Sequence, residues 1–233
     1  MSRATQLAAI TLVLAAGCQM PAANAQQSPP ADPSKVENVD RSAPRAPGNS
    51  PVQLLDLSER LAAYGRANKD ALSLVVAAQI FKAAGVKVVE RKAENSGPDA
   101  AAPGDEAPSV AGLLREAREV SGNDETIVAI ATDIEASATK GRVGGVLSSP
   151  GQVSPKGEQV HTMSFQGERR AEIYISGGGT GSLLLEVYDQ GGHKMCLDPR
   201  ENLCDFTPFW TGDFKVKVLN SGAGAARYRI STN

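Results

Sequence analysis

Histidine, cysteine and tryptophan are scarce in this chain, whose 233 residues include 2 His, 3 Cys and 1 Trp. Any hydrolase built on a Ser-His or Cys-His pair would have to use His161 or His193. Neither accompanies a Gly-x-Ser-x-Gly elbow, so both read as surface histidines. Cys196 and Cys204 lack the CxxC spacing of a zinc site, and two histidines are too few to complete one. An excess of one charge is also missing. The formal net charge of −2 argues against a nucleic-acid binder, which needs a concentrated basic surface. Aromatic residues make up 4% of the chain, which leaves little hot-spot material for a tight protein interface. The apolar run Leu7 to Leu14 is too short to span a bilayer as a permanent helix.

That run instead suits export. Arg3, the apolar stretch and the small residues after it make residues 1–25 an expected signal peptide. Two processing routes fit. Cleavage after Ala23-Asn24-Ala25 is one, and lipidation at Cys18 is the other, because Leu14-Ala15-Ala16-Gly17-Cys18 is similar to a bacterial lipobox. In an oxidising compartment Cys196 and Cys204 are expected to pair, and closing so short a loop contributes about 2 to 3 kcal/mol. Residues 26–49 are mostly Pro, Ala, Ser, Asn and charge. They are expected to be a disordered tether, since they bury too little surface to offset their ordering entropy.

Helical spacing then dominates residues 50–138. Ser50, Asp70, Ser109 and Asn123 or Asp124 are candidate N-caps. Leu54, Leu57, Leu61 and Tyr64 predict the buried face of the first helix, and Gly65 to Lys69 its end. Leu72, Val75, Val76, Ile80 and Ala83, widened by Leu74, Ala78 and Phe81, predict a largely buried second helix. Val110, Leu113, Leu114, Ala117 and Val120 mark a third, and Ile127, Ile130, Ala131 and Ile134 a fourth. The expectation is two antiparallel helix hairpins in a small bundle. Residues 139–157 read as a linker.

From residue 158 to 233 the period drops to two. Ala171, Ile173 and Ile175 alternate with Glu172 and Tyr174, Leu183, Leu185 and Val187 with Leu184, Glu186 and Tyr188, Phe214, Val216 and Val218 with Lys215 and Lys217, and Tyr228 and Ile230 with Arg227 and Arg229. The expected fold class is therefore α+β in two domains, a helical one followed by an antiparallel β-sandwich. Leu183 to Gly192, Trp210-Thr211-Gly212-Asp213-Phe214 and Ala226-Arg227-Tyr228-Arg229-Ile230 resemble the bacterial pre-peptidase C-terminal domain. The resemblance covers about the last third of the chain. It implies a sandwich concerned with secretion, attachment or substrate binding rather than with chemistry. Where relatives carry acidic residues around the central strand, this chain has Gly177 to Leu184, without the carboxylates that calcium requires.

Four cations stand out among the strands. If the last two strands pair as a hairpin, Lys215, Lys217, Arg227 and Arg229 form one outward basic strip. Such a strip would hold an anionic envelope polymer, a polysaccharide or a membrane surface, whereas a plain solvated face accounts for the same pattern. Trp210, with Phe206 and Phe209, is a candidate aromatic contact on a sugar, against the plainer role of core filler. Nothing specifies a cofactor or metal. The resulting expectation is an exported, non-enzymatic attachment, scaffolding or ligand-binding protein. The alternative is a substrate-recruiting accessory module of a secreted hydrolase system.

Overall fold

The computed structural model describes residues 28–45, 48–94, 108–137, 144–178, 183–196 and 202–233. Among the described residues, after a 3-10 turn at Pro33–Lys35, four α-helices come first: α1 Pro51–Asn68, α2 Ala71–Ala84, α3 Val110–Val120 and α4 Glu125–Ala136. Each begins at a side-chain cap. Ser50 accepts from the Gln53 N–H, Asp70 from Leu72 and Ser73, Ser109 from Gly112, and Asp124 from Thr126 and Ile127. Gly85, at φ 63°, closes α2 in the left-handed conformation that glycine adopts without strain.

The buried face of α1 differs from the predicted one. Val52, Leu55, Ser58, Ala62 and Gly65 are buried, while Leu57 and Tyr64 are 41% and 54% exposed. Small residues decide this. The Ser58 hydroxyl donates to the Ala77 carbonyl at 2.7 Å, and a Cβ on Gly65 would lie 2.9 Å from Leu74 Cγ. The small stripe lets α2 approach closely, and close approach outweighs the larger side chains of the other stripe. Gly65 thus lies inside α1, which ends at Asn68, within the expected stretch Gly65 to Lys69. In α2, likewise, Leu72 and Val76 are exposed, whereas Leu74, Val75, Ala77, Ala78, Phe81 and Ala84 are buried.

Among the described residues eight strands follow or interrupt the helices: β1 Lys87–Val88, β2 Leu147–Val153, β3 Glu158–Phe165, β4 Ala171–Gly178, β5 Leu183–Tyr188, β6 Leu203–Phe206, β7 Gly212–Asn220 and β8 Ala226–Thr232. They form a five-stranded sheet in the order β1-β2-β8-β4-β6 and a three-stranded sheet in the order β3-β7-β5. All pairings between these strands are antiparallel except that of β1 with β2. Phe214, Val216 and Val218 meet Ile173, Ile175, Tyr228 and Ile230 in the core between the sheets.

Three boundaries differ from the sequence expectation. Much of the expected linker is β2, which pairs with β8 from Leu147↔Thr232 to Val153↔Ala226. Pro150 and the serines mask its strand character, and Gly151 is there because the Tyr228 ring lies over it, with Cζ 2.3 Å from where a Cβ would stand. Part of the expected tether is ordered against the sandwich, with Asn38 and Val39 buried. Finally, the helices are not separate from the strands. Tyr174, on the outer face of β4, belongs to the same core as Leu55, Leu74 and Leu114, so helices roof the five-stranded sheet and β4 is buried on both faces.

Candidate functional site

The roof brings together a polar cluster with no local signature in the sequence. Glu59, on the face of α1 turned to β4, accepts from the Tyr174 hydroxyl at 2.9 Å and from the Ser176 hydroxyl at 3.1 Å. Nearby the Ser50 hydroxyl donates to Glu172 Oε1 at 2.7 Å, so one residue caps α1 and ties it to β4. Burial pushes the carboxyls of Glu59 and Glu172 above their ordinary range and, with the Glu59 charge beside it, raises the Tyr174 phenol. Arg229 is buried here as well, and desolvation lowers its pKa against the opposing pull of Glu59. This closed cluster joins helix to sheet.

The position of Arg229 corrects the basic strip. β7 and β8 lie in different sheets, so Lys215 and Lys217 do not share a face with Arg227 and Arg229. The connection crosses the end of the sandwich instead of forming a hairpin. Asn220, buried at the end of β7, fixes that crossing by donating to the carbonyls of Ser154 at 3.2 Å and Gly224 at 2.7 Å. Arg227 is exposed near the start of β8, the central strand of the roofed sheet. Period-two alternation is identical whether two strands pair or face each other, and so it could not separate the cases.

The histidines are occupied structurally. His161, 2% exposed, has Nε2 2.6 Å from the Tyr228 hydroxyl, which donates to Gln159 Oε1 at 2.6 Å. The hydroxyl has one proton, so His161 donates from Nε2. Desolvation lowers its pKa most, the Lys92 backbone carbonyl opposes this, and Arg91 lowers it further. His193 packs Nδ1 at 3.0 Å from Asp189 Oδ2, but Asp189 also accepts the N–H of His193 at 2.8 Å and the N–H of Asn38 at 2.9 Å. Among the described residues no hydroxyl or thiol is hydrogen-bonded to His193. The pair holds a turn and the N-terminal segment, and His161 is buried rather than at the surface.

The same segment locks Trp210. Asn38 Nδ2 donates to the Trp210 carbonyl, and the Trp210 N–H donates to Asn38 Oδ1, both at 3.0 Å. Trp210 is 5% exposed, which removes it as an aromatic platform for a sugar. Cys196 and Cys204 form a disulfide, with their Cα atoms 5.6 Å apart. It ties the segment after β5 to the edge strand β6. The expected leader, Cys18 and residues 179–182 lie outside the described residues. Among the described residues no group of three or more His, Cys, Asp or Glu is placed to hold a metal ion.

Among the described residues no helix packs on the outer face of β3-β7-β5, where Thr162, Ser164, Asp213 and Lys215 are exposed and Val160 is buried. Lys217 lies opposite Glu186, with its ammonium 5.5 Å from the centre of the Tyr188 ring and 3.9 Å from Glu158. The Tyr188 hydroxyl donates to Glu186 at 2.9 Å, and Lys194 to the same carboxylate at 2.8 Å. The Lys194 bond is the main reason the Glu186 carboxyl lies below its ordinary range. Exposed Lys215, cross-strand from Tyr188 and Thr162, completes the face. Glu186, Lys194 and Tyr188 carry no local site signature in the sequence, and it is the register that gathers them.

No protein-family model matches this chain, and no curated protein does. Among solved structures it is similar to the crystal structure of Salmonella Typhimurium PliG, a periplasmic lysozyme inhibitor of g-type lysozyme. Identity is 10%, the TM-score is 0.30, and the match covers 41% of this chain and 93% of that one. At that TM-score the likeness bears on neither fold nor function.

Proposed function

We propose that this is an exported, non-enzymatic binding protein whose ligand lies across the outer face of β3-β7-β5. The observation that carries this reading is the asymmetry of the sandwich: helices roof one sheet, and among the described residues none packs on the other. The disulfide and the leader-like start support export. The motif resemblance to the pre-peptidase C-terminal domain supports attachment or substrate binding.

The proposed ligand is a polysaccharide of the envelope, not a polyanion. Lys194 and Lys217 are opposed by Glu186 and Glu158, so the face offers mixed hydrogen-bonding groups around one aromatic ring and little net charge. The test is co-sedimentation of the full chain with purified peptidoglycan sacculi across a salt series. Binding should vary little with salt, fall in Tyr188→Ala combined with Lys215→Ala, and survive Arg227→Ala on the other sheet. Absence of binding at low salt, or equal loss in Arg227→Ala, overturns the assignment of the face. Binding that collapses as salt rises assigns a polyanion instead.

A further inference from the structure

The contact between α1 and β4 is held at both ends by a carboxyl. Ser50, the cap of α1, lies over Glu172, and Glu59 lies over Tyr174 and Ser176. The spacings match, since nine residues of helix rise about 13 Å and four residues of strand span about the same length. Both contacts therefore close together. Glu172, Tyr174 and Ser176 share the outer face of β4 by strand alternation, and their neighbours across β8 are Ser231, opposite Tyr174, and Arg229, opposite Ser176.

Apolar contact across this junction is small by comparison. Among the described strand residues, the helical core takes in Tyr174 and the half-buried Leu203. An interface this polar between two packed units permits relative motion. The donors to its carboxyls are also neutral: the hydroxyls of Tyr174 and Ser176 serve Glu59, and the Ser50 hydroxyl and Gln53 side chain serve Glu172. The nearest cations are engaged with other acids, Arg60 with Asp56 at 2.9 Å and Arg170 with Asp205 at 3.5 Å. Arg229 attracts Glu59 and Asp56 repels it, while Asp205 repels Glu172 and Arg170 attracts it. A carboxylate buried among neutral donors loses more hydration than those bonds return, and a proton removes the deficit.

We propose that the helical roof is a proton-operated clamp: protonated Glu59 and Glu172 hold α1 on β4, and their ionisation loosens it and uncovers the polar strip Tyr174, Ser176, Ser231 and Arg229. Burial raises both carboxyl pKa values, which agrees in sign. Docking is strongest below the ordinary 4.5 and weakens as pH rises through the docked values. Within that window the opening constant grows by up to about tenfold per pH unit for each carboxyl.

The experiment places a thiol under the roof. Ser231 is fully buried on the covered face, so Ser231→Cys in the full chain reacts with dithiodipyridine only when that face opens. Dividing its rate by that of Thr162→Cys, at an exposed position of the other sheet, removes the reagent's own dependence on thiolate. From about pH 4.5 to about 7.5 the ratio should climb about tenfold or more. Glu59→Gln combined with Glu172→Gln keeps acceptors for the hydroxyls without charge, and should hold the ratio at its acid value. Opening should also exceed the global unfolding reported by amide exchange at Val216, in the core between the sheets. Should the double variant fail to fold, the wild-type series still decides. A wild-type ratio that is flat or falls with rising pH overturns the clamp, as does a double variant that keeps the wild-type slope. Labelling of Ser231→Cys no faster than Val216 exchange allows overturns it too, because the face would then open only by complete unfolding.

Discussion

Asn38→Ala tests whether the N-terminal segment is a tether or a structural strap. Asn38 is 3% exposed, and its side chain is bonded to both the N–H and the carbonyl of Trp210. Truncation leaves those two backbone groups buried without a partner, at about 1 to 3 kcal/mol each. Partial rehydration through the space left by the amide reduces the total, so the expected loss is about 2 to 4 kcal/mol. In a domain with a stability of about 5 to 15 kcal/mol this is a large share. The assay is urea unfolding followed by Trp210 fluorescence, which reports the affected site directly. The midpoint should fall with little change in slope, and exchange of the Trp210 amide should accelerate. Val36→Ala, at a side chain 45% exposed two residues away, should leave the midpoint nearly unchanged. A loss below about 0.5 kcal/mol for Asn38→Ala would refute the strap, because surface substitutions lie in that range.

Four other outcomes follow from the same geometry. His161 is held neutral by burial, so its folded pKa lies below the ordinary 6.5 and its contribution is complete above that pH. As pH falls through 6.5 toward the folded value, the unfolded chain binds the extra proton and stability declines by up to about 1.4 kcal/mol per pH unit; His161→Gln should remove this slope in urea titrations. Glu59 and Glu172, with pKa values raised by burial, act in the opposite sense, because their contribution is complete below 4.5 and is lost as pH rises above it. The native protein should show no alkylation at Cys196 or Cys204, and replacing both with Ser should cost about 2 to 3 kcal/mol in thermal unfolding. The fragment 158–233 should be unfolded by circular dichroism, since it lacks β2, an interior partner of β8, and the roof over Tyr174, whereas residues 28–233 should fold.

Local chemistry was legible in the sequence, and long-range choice was not. The caps Ser50, Asp70, Ser109 and Asp124 act within three residues of themselves, so reading their neighbours was enough. Strands β4, β5, β7 and β8 announced themselves by period, and Cys196 with Cys204 by proximity and compartment. The face of α1 required knowing that Gly65 and Ser58 would meet α2, a packing decision between two stripes that were both apolar enough. The burial of Asn38 depends on Asp189 and Trp210, more than 150 residues away, and composition carries no trace of those bonds. Among the described residues the outer face of β3-β7-β5 is free of helices because they took the other sheet, and the basic strip dissolved because β7 and β8 face each other instead of pairing. Sequence by itself determined the four helix starts, strands β4, β5, β7 and β8 and the disulfide, since those rest on neighbours along the chain. Tertiary structure decided which surfaces meet, because each element carried more than one plausible face and only the packing of the whole chain selects among them.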